Sequence, residues 1–471
     1  MADHQAAICA LLLESDPGVA VPPGMEKMMG DPAPPLAQTA TWWLRVHSQE
    51  IEAKKLWDLM MTSHNAWVTN EAILALGRQG KAEVVPKLFE ILCAAPGADI
   101  ANHQRALPAA WNDLEGMHLN EVGNAKAGNA GLRVLAGGGQ NVTIGVPMIY
   151  LARMRASAAI ALGGIDTPES RKALVAVLKG NDDSYSDVYK DFAIMSLGRI
   201  ADREGLAVLV DILRRGHCSS ASDVRPQSPL RGFAALALGL YGRPVATPQG
   251  PSDRADYDKA SQLLGERMAD GKETSEVRAA CAVGLGLTGR TENLKYLQPA
   301  SGAIGGDDDL LIGYTILARG LVGDKNIIGP ARAYLDVKRD KSDLAGVMGR
   351  RAAVMGLGCL GSQEAIPVLL DAWHLSYHVN RETTVALAMC QAYNTTDDLL
   401  KLMKEAKNPW ERAFAARSLG ELLAKSRPQR AAALVEGSNY TLRDDSAMRY
   451  KALGNEFLYL FLLPAFGSDW K

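Results

Sequence analysis

The chain has 471 residues, a formal net charge of −2, 47% apolar residues, only 6% aromatic residues, and six cysteines. This composition excludes a disordered chain, a collagen-like one and a disulfide-dense secreted scaffold. The balanced charge supplies no electrostatic drive toward nucleic acid or an anionic membrane, and the length suits about three ordinary domains or one long repeat array.

In chain order, Ala6–Leu13 is apolar, but no Lys or Arg precedes it, so the positive segment of a secretory signal is missing. No stretch reaches 18 apolar residues, so no membrane span is expected. A cytoplasmic chain is the expectation, a mature form with its leader removed being the other reading. Residues 1–40, with Pro17, Pro22, Pro23, Pro32, Pro34 and Pro35, read as an extended arm. Residues 41–63 read as a capping helix whose Trp42, Trp43 and Trp57 either cover the first repeat or form an aromatic binding patch.

From there a nine-residue window recurs, opening on a basic residue and closing on Leu-Gly. It spans Arg155–Gly163, Lys190–Gly198, Arg231–Gly239, Arg278–Gly286, Arg350–Gly358 and Arg412–Gly420, with degenerate copies at Thr69–Gly77, Ile312–Gly320 and Arg381–Met389. From Arg155 the starts are 35, 41, 47, 34, 38, 31 and 31 residues apart, the period of a helix–turn–helix repeat. The small residues let neighbouring helices approach closely, and the closing Gly suits a left-handed C-cap. Second helices are expected at 81–95, 167–180, 202–216, 256–270, 291–300, 324–336, 362–374 and 395–407. Several open on N-cap chemistry, at Thr167, Asp202, Ser362 and Thr395. Each hairpin then has an apolar face that only the next hairpin can cover.

The run Ser275-Glu-Val-Arg-Ala-Ala-Cys-Ala-Val-Gly-Leu-Gly286 resembles HEAT-type repeats, and more narrowly the short HEAT-like repeats associated with phycobilisome lyases. The resemblance covers about residues 64–436. It implies an all-α fold, a right-handed α-solenoid of about nine helical hairpins with long inter-repeat loops. The largest insertion, 97–146, falls inside the array, and residues 437–471 form a C-terminal cap with an apolar tail, Phe457–Phe466. Loops 95–146, 216–229, 301–309, 337–347 and 375–380 all join one repeat to the next, so they decorate one rim; only 243–254 lies within a pair.

Candidate chemistry is sparse. Gly284–Gly289 and Gly356–Gly361 match GxGxxG but close helices instead of opening them, which argues against a dinucleotide site. Asp371, His374 and His378 are spaced to share a helix face, though the helix is expected to end near His374. No His is followed by Glu, so the His-Glu pairs by which di-iron hydroxylases built on HEAT repeats bind metal are missing. The second helices sum to about −2, so their surface is not a basic nucleic-acid groove. The cysteines form no CxxC pair, and Cys281, Cys359 and Cys390 read as free buried thiols. The sequons at Asn141, Asn394 and Asn439 read as chance. No catalytic, cofactor-binding or metal-binding residue is assigned.

The expectation is a non-enzymatic scaffold that holds a protein or peptide partner on its rim loops or concave helix face. One alternative, implied by the lyase resemblance, is a protein handling a tetrapyrrole; another is a subunit that self-assembles through its C-terminal tail.

Overall fold

The repeated windows are helices, and small residues on two sides of each let them stack in succession. The computed structural model describes residues 49, 51–62, 66–93, 132–136, 140–144, 146–179, 188–218, 228, 230–242, 254–298, 309–336, 344–375, 379–406, 412, 415–416, 418–419 and 422. The arm, the C-terminal cap and most of each rim loop lie outside them.

The described helices fall into two compact units divided between Ile200 and Ala201. In the first, the helices are Ala53–Thr62 (α1), Ala66–Arg78 (α2), Val85–Leu92 (α3), Val146–Ile165 (α4), Pro168–Lys179 (α5) and Val188–Ile200 (α6). The window helices α2, α4 and α6 pack one on the next, while α3 and α5 lie against α4 and against each other. Helix α1 packs on α2, burying Leu56 and Met60, and Lys87 of α3 sits 4.3 Å from the centre of the Trp57 ring. Insertion 97–146, expected as a loop, contributes an antiparallel hairpin, Leu132–Ala136 (β1) with Gln140–Ile144 (β2), Leu132 opposite Ile144. The β-branched residues Val134, Val142, Thr143 and Ile144, and the three glycines between the strands, explain the strand pair.

The second unit contains Arg203–Arg215 (α7), Leu230–Tyr241 (α8), Arg254–Ala269 (α9), Ser275–Leu287 (α10), Asp309–Val322 (α11), Ile328–Leu335 (α12), Leu344–Leu360 (α13), Ile366–Leu375 (α14), Asn380–Met389 (α15) and Thr396–Glu405 (α16). Here α8, α10, α11, α13 and α15 stack in order. The second layer lies against them, α7 on α8, α9 on α8 and α10, α12 on α13, and α14 on α15. Apart from the β1–β2 hairpin, each unit is thus a stack of helical pairs, the solenoid architecture. The second helix expected at 291–300 is, among the described residues, only a 3-10 turn, Thr291–Lys295.

Two of the local readings need correction. The window's closing Gly is not the left-handed cap but a point of close approach. A Cβ on Gly239 would stand 2.3 Å from the Gly284 carbonyl oxygen, and one on Gly286 2.6 Å from the Ala318 Cα. The left-handed residue comes three positions later, at Gly80, Gly289, Gly323 and Gly361, because the helix runs one or two residues past the contact before reversing. In other repeats a non-glycine fills that place, Asp166 with φ +50° and Ala201 with φ +56°, and Gln391, two positions past Met389, has φ +56° as well. Gln391→Gly is therefore expected to raise stability by about 0.5–1 kcal/mol, read from urea unfolding, since the left-handed conformation costs an L-residue about 1–2 kcal/mol.

The N-caps also divide. Thr167 Oγ1 accepts from the Ser170 amide at 3.2 Å and Ser362 Oγ from the Glu364 amide at 3.3 Å. Asp202 and Thr395 make no side-chain cap; the Thr395 hydroxyl instead donates to the Ala392 carbonyl at 2.6 Å. At Thr395 the backbone stays in a tight 3-10 turn rather than the extended conformation that aims a side-chain oxygen at the helix amides.

The basic residue that opens the window has a definite task. Arg155 Nε donates to the Leu92 carbonyl at 2.6 Å, Arg231 Nε to Leu213 at 2.8 Å and Arg278 Nε to Met268 at 2.9 Å. Each arginine satisfies a carbonyl in the last turn of the second helix before it, a group with no partner in its own helix and at the negative end of its dipole.

Candidate functional site

Helices α7 and α9, the second helices of consecutive pairs, both rest on α8. Helix α7 buries Val208, Leu209, Ile212 and Leu213, and α9 buries Tyr257, Leu264 and Met268. Those faces point at the first layer. A second stripe on each helix faces the other helix across a cleft of about 650 Å³. From α7 it takes Arg203, Leu206, Ala207, Val210 and Arg214; from α9 it takes Asp256, Lys259, Gln262 and Glu266, with the buried Ala260 and Leu263. Spacings of three and four place each set on one helix face.

The cleft is polar at its ends and apolar between. At its entrance Arg203 Nε reaches Asp256 Oδ2 at 3.2 Å, with Lys259 Nζ 3.9 Å from the same carboxylate. At the far end Gln262 donates to Glu266 at 2.9 Å. The start of α9 is fixed by Tyr257, whose ring lies 5.6 Å from that of Tyr241 and 4.5 Å below the Arg290 guanidinium. On the far side of α9, about 200° around the helix from Leu263, the Tyr296 ring occupies the space left by the absent side chain of Gly265.

Behind the entrance, Tyr241 is wholly buried, and its hydroxyl has no hydrogen-bond partner among the described residues. Burial, and then the nearby Asp256 carboxylate, push its pKa up to about 12. A phenol whose folded pKa lies above its unfolded value stabilises the fold below pH 10 and loses that contribution as pH climbs from 10 to 12. Tyr241→Phe removes an unsatisfied buried hydroxyl, so stability at pH 7 is expected to stay level or rise by up to about 1 kcal/mol. In the variant the slope between pH 10 and 12 should flatten, which urea titrations across that range would measure.

Among the described residues, those marked out by sequence spacing do not assemble into a site. Asp371 is exposed on α14; His374 lies on the same helix, and its side chain and His378 are outside the described residues. Among the described residues no group of three or more His, Cys, Asp or Glu could hold a metal ion. The two GxGxxG runs close α10 and α13. Gly284 and Gly356 lie against the Ala235 carbonyl and Leu317, as packing residues do. Cys281 and Cys390 are buried free thiols, and burial, reinforced by Glu273, pushes the Cys281 thiol far above its usual range. Cys359, expected to be buried, is half-exposed; it lies one residue, about 100°, around α13 from Gly358, which meets Ala386. The cleft itself was missed. Leu206 and Val210, apolar residues off the buried face of α7, are the sequence signal that would have found it.

The class is thus defined as an all-α solenoid with an amphipathic cleft in its second layer. No family model matches the chain, and no curated protein matches it. Among solved structures, that of human deoxyhypusine hydroxylase in complex with glycerol is similar over 66% of this chain and 90% of its own, with 19% identity and a TM-score of 0.27. No helix among the described residues is long and apolar enough to cross a membrane.

Proposed function

We propose that the chain is a HEAT-type repeat scaffold, a right-handed solenoid of about nine pairs, that binds a protein or peptide partner. The α7–α9 cleft carries this reading: charged ends, with Leu206, Ala207 and Val210 open to solvent between them and Ala260 and Leu263 buried, form a surface of the kind that receives a peptide. The five insertions expected along one rim are the second candidate surface. The test is recovery of partners on immobilised full-length protein, compared with Val210→Asp and with a variant lacking residues 97–146. Loss of the same partner from either variant, with an unchanged circular dichroism spectrum, supports the proposal. Identical recovery by all three proteins overturns it.

A further inference from the structure

We propose that the C-terminal segment 423–471 covers the side of α10, α11 and α13 that faces away from the second layer, through its apolar run Phe457–Phe466. The inference goes beyond the binding reading and concerns a surface that the chain covers with itself.

Burial comes first. A surface helix leaves one side to solvent, as α7 does with Arg203, Glu204, Ala207 and Arg214. Helix α10 leaves none. Ala279–Thr288 are buried without a break, and such a run turns through nearly three full circles. Among the described elements, α8 and α11 flank α10 and α9 packs on it from the second layer, which accounts for three sides.

The fourth side is apolar on three consecutive helices. On α13, Ala353 and Leu357 belong to the cluster shared with the second layer, while Met348 and Met355 stand about 140–200° around the helix from them. On α11, Leu310 and Tyr314 stand about 120–160° from Ile316 of the same cluster. On α10, Val283 and Leu287 stand about 140–180° from Arg278, which reaches the Met268 carbonyl of α9. All six are at most 3% exposed. Their cover is therefore chain that lies outside the described residues.

Chain path selects the segment. Outside the described residues, two runs hold seven or more consecutive apolar residues, Ala6–Leu13 and Phe457–Leu463. The first precedes α1, in the other unit. The second follows Leu422, which is buried with Ala388 of α15 and Leu399 of α16, and α15 packs beside α13. The 35 residues from Leu422 to Phe457 can extend about 115 Å, whereas three stacked helices span about 16–20 Å between their outer axes. The ten residues Phe457–Phe466 reach about 15 Å as a helix or about 33 Å extended. Chemistry agrees with reach: the flexible thioethers of Met348 and Met355 mould around aromatic rings, and the run supplies Phe457, Tyr459, Phe461 and Phe466.

The experiment compares the full chain with one ending at Glu456, using hydrogen exchange and a labelled synthetic peptide of residues 455–471. Amides of α10, α11 and α13 are expected to exchange at least about tenfold faster in the shortened chain, those of α5 being unchanged. The peptide should bind the shortened chain and not the full one, whose site is filled, and Val283→Glu in the shortened chain should abolish that binding. Unchanged exchange, or equal peptide binding by both chains, overturns the proposal. So does faster exchange in these helices on deleting residues 1–40 but not the tail. An oligomer that becomes a monomer on shortening, with exchange unchanged, assigns the tail to self-assembly and overturns it too. If the shortened chain does not fold, Phe457→Ser with Phe461→Ser in the full chain takes its place. Faster exchange confined to α10, α11 and α13 then supports the proposal, and unchanged exchange overturns it.

Discussion

Arg231→Ala is expected to destabilise the second unit by about 3 kcal/mol, the lower part of the range for truncating one member of a buried ion pair. Arg231 is 2% exposed and holds two elements at once. Its Nε donates to the Leu213 carbonyl at 2.8 Å, near the end of α7, and its Nη2 pairs with Glu273, just beyond the end of α9. Removing the guanidinium leaves the carbonyl without that donor. It also leaves Glu273, 7% exposed, dependent on Arg267 at 3.0 Å. That surviving contact is why the lower figure is expected.

Arg231→Lys should recover only part of the loss, because one ammonium cannot reproduce a planar fork serving two acceptors. Urea unfolding followed by circular dichroism gives the size of the effect. Hydrogen exchange should show faster opening in α7 and at the end of α9, and therefore in both walls of the cleft. A loss below about 1 kcal/mol would show that Arg267 suffices and that the α7 carbonyl is satisfied without Arg231.

Gly320→Ala is the second large effect, and its sign opposes helix propensity. Alanine favours a helix over glycine by about 1 kcal/mol. At position 320, however, the new Cβ would stand 2.0 Å from the carbonyl oxygen of Gly356, and Gly313 faces Gly349 with the same separation. The obstructing atom is backbone, so no side chain can swing aside. Helices α11 and α13 must move apart, disturbing the cluster of Ile316, Ala353, Val354 and Leu357. Overpacking of this kind costs about 1–3 kcal/mol, occasionally more, and must also cancel the propensity gain; a net loss of about 2 kcal/mol is expected. Gly329→Ala on α12 is the control, since nothing lies within 4 Å of its Cβ position. It should be neutral or slightly stabilising. Combining Gly313→Ala with Gly320→Ala should cost less than the sum, because both widen one interface. Stabilisation by Gly320→Ala would mean that the two helices are not held in contact.

The windows and the second helices were legible because each is a local pattern. Arg155–Gly163 and Arg278–Gly286 lie wholly inside α4 and α10, and the second helix expected at 202–216 is α7, Arg203–Arg215. Roles that depend on another element were not legible. A closing Gly reads equally well as a cap or as a contact until Gly239 is set against Gly284. The opening arginine reads as a charge until Leu213 is placed beside it.

By itself, then, the order of residues determined that helices form, where most of them lie, and that each leaves an apolar face for its neighbour, because helical periodicity and side-chain size act over a few residues. Tertiary structure alone decided that Arg231 ties α7 to Glu273, that α10 and α13 carry packing glycines, and that α7 and α9 leave a charged-ended cleft between them. Those outcomes depend on the spacing between helices distant in the chain, set by whole-layer packing on α8 and α10 and absent from any short stretch of sequence.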